Sequence, residues 1–247
     1  NTPAIMAATR GEVDMLIALI EACADLKKRN NDGIGPVMVA VINDQLDILR
    51  LLCKYKSVER GVDLDEKESK YGNTATIVAA TNGKVDMLNI LIAAGADLNK
   101  GNNKGDTAAI VATTNGKVDM LNTLIAAGAD LNKGNNKGDT PELVATTRGK
   151  VKKLSNLISA GANLNKRNSD GMSPVMIAVL NGELGILRLL CDYKRMGGDI
   201  DLDQGENRYG DTPMLIATAR GEVEMLSALI AAGADLNKEN NRGNTPA

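Results

Sequence analysis

The stretch ADLNKGNNKGDT, residues 96–107, recurs letter for letter at 129–140, a step of 33 residues. Looser copies stand at 24–35 (ADLKKRNNDGIG), 162–173 (ANLNKRNSDGMS) and 234–245 (ADLNKENNRGNT). A fixed period of this size indicates a stack of small supersecondary units, each of which completes its apolar core only against its neighbours. We therefore expect a repeat solenoid rather than a fold with one central core.

Aligned on this stretch, the chain divides into seven repeats and the start of an eighth, and we expect one elongated domain over 1–247. The boundaries are 1–33, 34–72, 73–105, 106–138, 139–171, 172–210, 211–243 and, for the eighth, 244–247. The repeats 34–72 and 172–210 are each 39 residues long and match each other at an offset of 138 residues. Because their neighbours match at the same offset, a block of four repeats was duplicated.

Repeat 106–138 represents the unit. An apolar run over 108–114 predicts a first helix, which Asn115 and Gly116 end because both residues tolerate the left-handed conformation. The segment 118–127 predicts a second helix with an apolar face, capped by Gly128, and 129–138 predicts an extended hairpin. The expected core residues of the second helix are Leu121, Leu124 and Ile125.

Composition excludes several classes of function. A net charge of -2 and a pI near 5.4 give no basic field, so we expect no nucleic-acid partner. No apolar run approaches the roughly 20 residues of a membrane span, and the N-terminus lacks a signal-peptide pattern. Three cysteines without CxxC spacing, Cys23, Cys53 and Cys191, argue against disulfides and zinc, and favour an intracellular, cytoplasmic location.

The chain contains no histidine, which removes Ser-His-Asp and Cys-His nucleophiles and HExxH zinc sites. No GxGxxG or P-loop string follows a strand-like run, so we expect no nucleotide, no other cofactor and no catalytic residue. Chemistry carried by carboxylates or lysine alone stays open. The run Asp199, Asp201, Asp203 resembles the start of a calcium loop, but Gln204 and Gly210 replace its required glycine and glutamate, so we expect no metal.

The repeat resembles the ankyrin repeat, whose pattern is GxTPLHxAAxxGHxxxVxxLLxxGADVN. Matching residues in one unit are Gly105, Thr107, Ala112, Gly116, Leu124, Gly128, Ala129, Asp130 and Asn132, with conservative changes at Ile125 and Leu131. The resemblance covers all 247 residues. It implies an all-α repeat solenoid in which helix-turn-helix units and β-hairpin loops stack, acting as a non-catalytic protein-interaction or scaffold module.

One departure from the family is systematic, because its histidine is apolar in every repeat. The replacements are Ile5, Met38, Ile77, Ile110, Leu143, Met176 and Leu215. In the family that imidazole tethers neighbouring hairpins, so we expect packing and the loop asparagines to hold them here. A second departure is Cys23, which stands where other repeats carry the capping glycine. It should cost about 1 kcal/mol if the left-handed conformation persists, with local relaxation as the alternative.

The two long repeats hold all four aromatic residues, Tyr55 with Tyr193 and Tyr71 with Tyr209. Their six extra residues divide between a longer second helix, through Tyr55 and Arg60 or Tyr193 and Gly197, and one added hairpin residue. Apolar residues also replace polar ones there, Ile34 and Met172 at the hairpin, Ile42 and Leu180 at the first helix.

Two interpretations of these residues stay open. They are either binding anchors on the concave face that the resemblance implies, or a local lid that covers the lengthened helix. We favour the lid for Tyr55 and Tyr193. If Tyr71 and Tyr209 are anchors, stacked helices would set them on the order of 40 Å apart, which suits an extended or repetitive protein partner.

The predicted partner-binding residues lie at hairpin tips and first-helix ends. They are Tyr71, Tyr209, Ile34, Met172, Lys104, Lys137, Asp106, Asp139 and Arg148. Arg148 belongs to a basic group in 139–171 that is either a solvated face or a steering surface for an acidic partner. Two rival functions stay open, a structural spacer or spring, and the targeting portion of a larger enzyme or effector. The oligomeric state is left open.

Overall fold

The computed structural model describes residues 1–56 and 61–246, and Arg60 lies outside the described residues. The chain forms two compact units, Asn1–Asp130 and Leu131–Ala247. The expected single domain over 1–247 stays a prediction. Each unit consists of paired helices joined by loops, and no strand occurs in the described residues.

Unit 1 contains eight of the helices. They are α1 (Pro3–Arg10), α2 (Val13–Glu21), α3 (Pro36–Ile42), α4 (Leu46–Cys53), α5 (Ala75–Asn82), α6 (Val85–Ala93), α7 (Ala108–Thr114) and α8 (Val118–Ala126). Each odd-numbered helix packs on the even-numbered helix that follows it. The odd helices also pack side by side in the order α1, α3, α5, α7, and the even helices form a second row.

Unit 2 repeats this architecture with six helices. They are α9 (Pro141–Thr147), α10 (Val151–Ser159), α11 (Pro174–Leu180), α12 (Leu184–Arg195), α13 (Pro213–Arg220) and α14 (Val223–Ala231). The odd helices again form one row and the even helices the other. The prediction of an all-α repeat solenoid is confirmed in both units.

The core lies between the two rows of helices. Leu121 and Leu124 are fully buried there as predicted, whereas Ile125 is half-buried. The apolar residues at the family's histidine position are also buried, with the exception of the half-buried Leu215. An apolar side chain at this position therefore adds to the packing between neighbouring repeats.

Most first helices begin at a threonine or serine N-cap. The side-chain oxygens of Thr2, Thr74, Thr107, Ser173 and Thr212 accept the N–H three residues on, at 3.2 to 3.4 Å. Such a cap satisfies one of the N–H groups that an α-helix leaves unpaired at its start. Helix α3 differs because its N-cap is Gly35, which has no side chain to accept that bond.

Apart from α4, the second helices are followed by a left-handed residue, as α8 is by Gly128 at φ 77°. Cys23 takes the same conformation at φ 56°, so the helix end does not relax around the missing glycine. A side chain in this region brings its Cβ close to the following carbonyl oxygen. The strain predicted from the sequence is therefore present at Cys23.

The predicted lengthening of the second helix is right in one long repeat only. Helix α12 has 12 residues and passes through Tyr193, whereas α4 has 8 and ends at Cys53. After Cys53 the chain forms a tighter turn in which the N–H of Lys54 and of Tyr55 bond three residues back. The prediction of a longer helix through Tyr55 is therefore wrong.

The ring of Tyr193 packs against Gly198. A Cβ atom on residue 198 would lie 2.6 Å from the Cζ atom of Tyr193. Only glycine leaves room for the ring at this point. The half-buried Tyr193 thus covers the end of its own helix, in keeping with the lid interpretation.

Candidate protein-interaction surface

Each short hairpin loop turns around one asparagine. In the loop before α7, the Asn102 N–H donates to the Asp106 carbonyl at 3.0 Å. Its side-chain Oδ1 accepts the N–H groups of Lys104 and Asp106 at 2.9 and 3.0 Å. The asparagine side chain thus takes the place of backbone acceptors, as Asx turns do. The predicted extended hairpin is for this reason a chain of turns without a strand ladder.

Asparagines also link neighbouring loops. In unit 1 the Asn102 Nδ2 donates to Asn73 Oδ1 at 3.1 Å, and in unit 2 the Asn168 Nδ2 donates to Asp139 Oδ1 at 3.0 Å. A second row runs below the tips, where Asn99 Oδ1 accepts the Asp130 N–H at 2.8 Å. Asparagines therefore connect loops that the family's histidine would otherwise tether, as the sequence predicted.

In the two long loops an aspartate, Asp65 or Asp203, takes the place of asparagine in this second row of links. Asp203 Oδ1 accepts the Asp235 N–H at 2.9 Å, and Asp201 Oδ1 accepts the Asp203 N–H at 2.9 Å. Two carboxylates of the DxDxD run are therefore used to order the loops. Within the described residues no cluster of histidine, cysteine, aspartate or glutamate is arranged to hold a metal ion.

The two long loops replace the central asparagine by glutamate. Glu68 Oε1 accepts the N–H groups of Tyr71 and Asn73 at 2.7 and 3.1 Å, and Oε2 accepts that of Lys70 at 2.6 Å. The backbone bond from Glu68 to Asn73 spans one residue more than that from Asn102 to Asp106. The extra methylene of glutamate lets one side chain reach the donors of this wider turn.

The carboxylate of Glu68 is held in its charged form by these donors. Burial is the largest single influence and raises its pKa. The three backbone N–H groups of Asn73, Lys70 and Tyr71 together outweigh burial, so the pKa of Glu68 lies below its ordinary value. In unit 2 the pKa of Glu206 is lowered in the same way, with the N–H groups of Arg208 and Tyr209 among its donors. Both tips are thereby rigid turns closed by charge-assisted bonds.

The two tyrosines at these tips differ in their surroundings. Tyr71 is 55% exposed, and the Lys70 Nζ lies 4.8 Å from the centre of its ring. Tyr209 is half-buried because the guanidinium carbons of Arg208 and Arg242 lie 4.8 and 4.2 Å from its ring centre. The backbone of each tyrosine is also bonded to the next loop. The Tyr71 carbonyl accepts the Asn103 N–H at 2.9 Å, and the Tyr209 carbonyl accepts the Asn241 N–H at 2.8 Å.

In unit 1 the structure brings the predicted residues together on consecutive loops. Ile34 follows a tip that is bonded to the Tyr71 tip through the Asp32 carbonyl and the Ser69 N–H at 2.8 Å. Lys104 is exposed on the next tip, where Asp106 is half-buried, and Ile34 is half-buried at the end of the first of these loops. These residues share one edge of unit 1.

Unit 2 gathers its predicted residues in the same manner, with one exception. Lys137 is exposed, and its carbonyl accepts the Ser169 N–H of the loop that carries the half-buried Met172 at 2.8 Å. Asp139 is half-buried and accepts from Asn168, so it serves the link between loops. Arg148 is exposed at the C-cap of α9, the first-helix end where it was expected, and does not lie on a tip.

An ion pair with a buried carboxylate beneath the Tyr71 tip was not predicted. The Arg29 Nε lies 3.1 Å from Glu66 Oε2, and Glu66 is only 4% exposed. The carboxyl group occupies the space beside Gly35, where a Cβ would lie 2.7 Å from its carbon. Burial raises the pKa of Glu66 to about 7, although Arg29 and the Gly35 N–H act to lower it.

One signal in the sequence could have revealed this pair. Gly35 interrupts the series of threonine and serine N-caps, and the equivalent residues of the other long repeat are Ser173 and Gln204. The two positions therefore differ together between the long repeats. Repeat 34–72 has glycine with glutamate, and repeat 172–210 has serine with glutamine. In unit 2 the equivalent arginine, Arg167, instead donates to the carbonyls of Gly171 and Gly205 at 2.8 and 2.7 Å.

The thiols of the long repeats are unreactive by environment. Cys191 is buried and Cys53 is half-buried on the second helices. Burial raises the pKa of each to about 11, against the smaller influence of Lys56 on Cys53 and of Arg195 on Cys191. Both side chains therefore act as packing groups.

Comparison with known proteins identifies the family. A family model described as ankyrin repeats in three copies matches residues 58–135 and 142–240. The chain belongs to the ankyrin repeat family. Ankyrin repeat domains generally mediate protein–protein interaction and are typically non-catalytic. Within the described residues, no helix of this ankyrin chain has the length and apolar character that a membrane span requires.

Two curated relatives share part of the ankyrin array. The human transient receptor potential cation channel subfamily A member 1 is 28% identical over 102 residues, 41% of this chain and 9% of its own length. The mouse ankyrin repeat and SAM domain-containing protein 6 is 33% identical over 69 residues, 28% of this chain and 7% of its own length. The chain thus matches less than a tenth of the length of either relative.

Solved ankyrin domains share the fold over most of the chain. The ankyrin repeat domain of Bcl-3, a member of the IkappaB family, superposes with a TM-score of 0.80 at 24% identity, covering 93% of this chain and 98% of that domain. An ankyrin repeat domain from Acinetobacter baumannii AYE gives 0.69 at 29% identity, covering 81% and 98%.

Proposed function

We propose that this ankyrin array is a protein-binding module whose partner contacts the hairpin tips and the first helices of the pairs. The observation that carries the proposal is Tyr71, 55% exposed on a tip whose backbone is bonded on both sides. An aromatic ring presented by a fixed backbone offers contact area at a low cost in conformational entropy.

The tip edge of each unit also has the mixed chemistry of an interface. In unit 1, Tyr71, Ile34 and Ile42 provide apolar area, and Lys104 provides a charged rim. In unit 2, Tyr209 and Met172 provide the apolar area, and the exposed Lys137 and Arg148 provide cations. A partly apolar centre with polar surroundings is typical of protein interfaces. The half-buried Asp106 and Asp139 would orient the loops and offer acceptors to the partner.

The equivalent tyrosines in the two long repeats favour an extended or repetitive partner. Such a partner would meet the same kind of anchor twice and gain from both contacts at once. We place the interaction inside the cell, where a reducing environment suits the cysteines of the array.

The test is capture of a partner by the purified chain, followed by binding of that isolated partner to variants. Tyr71→Ala combined with Tyr209→Ala should abolish binding while the helical circular dichroism stays unchanged. The matched control combines Asn89→Ala with Ser227→Ala, exposed positions on α6 and α14, and should bind as the parent chain does.

Three outcomes would contradict the proposal. Failure to capture any partner would favour the structural spacer. Full binding by the tyrosine variant would exclude these tips as the contact surface. A large loss of melting temperature in that variant would assign the tyrosines to packing.

A further inference from the structure

The Tyr209 tip carries two arginines whose guanidinium groups form neither an ion pair nor a hydrogen bond within the described part of the chain. Arg208 and Arg242 come from consecutive loops, and both guanidinium groups lie within 5 Å of the Tyr209 ring centre, at 4.8 and 4.2 Å. Both side chains are exposed. Among the described residues, no carboxylate lies within ion-pair distance of either guanidinium, and no acceptor bonds to it.

The acidic residues of the tip are occupied elsewhere. Glu206 accepts the backbone N–H groups of Arg208 and Tyr209, and Asp211 Oδ1 accepts the side-chain amide of Asn240. These carboxylates therefore order the loops and leave the two guanidinium groups facing solvent. The arginines are also held in position, since the aromatic ring attracts both cations.

An arginine held over an aromatic ring by its charge keeps its N–H donors available to a ligand. Five N–H donors in a fixed fork match the two oxygens of a carboxylate, and such bonds are shorter and stronger than neutral ones. Because the ring already restricts both side chains, less rotamer entropy is lost when they bind. The arrangement is preorganised for anions.

Unit 1 provides a natural comparison at the equivalent tip. There Lys70 alone lies over the exposed Tyr71, and Lys104 stands at the position of Arg242. An ammonium group acts as a point charge and lacks the fork geometry. The two tips therefore share a tyrosine but differ in the cation that surrounds it.

We propose that Arg208, Tyr209 and Arg242 form a carboxylate-binding site for an acidic segment of the protein partner. The inference rests on the proposed function, in which the tips contact a protein, and it names the chemistry of the contacting segment. Glutamate or aspartate side chains bind the two guanidinium groups, while the tyrosine ring packs against the aliphatic part of the segment. The Tyr71 tip binds the same segment more weakly.

The experiment measures fluorescence anisotropy of a fluorescein-labelled peptide of alternating glutamate and glycine, with a glutamine and glycine peptide as the control. The parent chain should bind the acidic peptide only, and binding should weaken as salt is added. Arg208→Gln combined with Arg242→Gln should weaken it at least about tenfold, since two charge-assisted contacts are lost. Arg208→Lys combined with Arg242→Lys should give an intermediate loss.

The matched control is Arg50→Gln combined with Arg188→Gln, exposed arginines on α4 and α12, which removes the same charge away from the tips and should change binding by less than about threefold. Unchanged helical circular dichroism and melting temperature establish that the variants fold. Equal binding of both peptides, or an equal loss in the tip variant and in this control, would overturn the proposal. Tighter binding of inorganic phosphate than of the acidic peptide would also overturn it, in favour of a phosphoryl ligand.

Failure of this inference and failure of the proposed function give different results. If the captured partner binds the parent chain and the arginine variants alike, only the acidic segment is excluded. If the tyrosine variant also binds that partner fully, the tips are excluded as the contact surface.

Discussion

Replacing Glu66 by glutamine should stabilise the chain at neutral and higher pH. The carboxyl group of Glu66 is 4% exposed, lies against Gly35 and pairs with Arg29 at 3.1 Å, with Asp63 as a further nearby charge. Burial raises its pKa from 4.5 to about 7 in the folded state. Folding therefore favours the protonated, uncharged form of Glu66.

The sign of the pH dependence follows from the direction of this change. Below pH 4.5 the group is protonated in both the folded and the unfolded chain, so its contribution to stability is fully present. Between 4.5 and about 7 the unfolded chain releases the proton and the folded chain retains it, and stability falls as the pH rises. Above about 7 the folded chain holds a buried charge, and the contribution has been lost.

The magnitude follows from the same values. A tenfold change in proton affinity corresponds to about 1.4 kcal/mol, so a rise from 4.5 to about 7 corresponds to roughly 3 kcal/mol. Glutamine has the shape of the protonated acid and no charge to bury. Arg29 is partly exposed, so water can solvate its guanidinium once the carboxylate is gone.

The assay is urea unfolding of the parent chain and of Glu66→Gln across this pH range, followed by circular dichroism. Other carboxylates titrate in both proteins, so the difference between the two free energies of unfolding isolates Glu66. The difference should be small at pH 4.5 and should grow to roughly 3 kcal/mol in favour of the variant above pH 7. Glu21→Gln, at an exposed position on α2, is the control and should leave the curve unchanged.

Two results would refute this reasoning. A difference that does not vary with pH would mean that Glu66 is not desolvated in the folded chain. A variant that is less stable than the parent at every pH would mean that the pair with Arg29 stabilises the fold by more than burial of the carboxylate costs.

Three further predictions concern single positions in the loops. Cys23→Gly should raise the free energy of unfolding by about 1 kcal/mol, because glycine adopts φ 56° without strain, and a higher urea midpoint would show it. Asn102→Ala should lower that free energy by about 2 kcal/mol or more, because two backbone donors and the link to the next loop are lost, measured by urea unfolding with the exposed Asn89→Ala as control. Gly35→Ser should destabilise the parent chain, since its Cβ would meet Glu66, and the same change in a Glu66→Ala background should cost less, as a double-mutant cycle of melting temperatures would reveal.

The sequence predicted those features that depend on one repeat alone. The alternation of apolar runs with Asn-Gly and glycine signals located the helices, and α7 covers 108–114 as predicted while α8 ends one residue early, at Ala126. The strain at Cys23 followed from its register with Gly128. These features are local, because capping and helix periodicity act over a few residues.

Features that involve two repeats were harder to predict. Nothing near Glu66 in the sequence shows that Arg29 and Gly35 will surround it, since both belong to the loop about one repeat before it. The second cation on Tyr209 likewise comes from Arg242, one loop further on. The prediction of strands was wrong for a local reason, because asparagine side chains such as Asn102 accept the N–H groups of their own loop that a ladder would need.

The two long repeats show where the duplicated block has diverged. Their helices remain close copies, PVMVAVINDQLDILRLLC against PVMIAVLNGELGILRLLC. The tips, by contrast, differ. Lys70 corresponds to Arg208, and the pair of Glu66 and Gly35 corresponds to Gln204 and Ser173. A spacer requires the helices to stack and places no demand on the cation beside an exposed tyrosine. Retention of both tyrosines with different cations around them is instead what two related sites of different affinity for one partner would need.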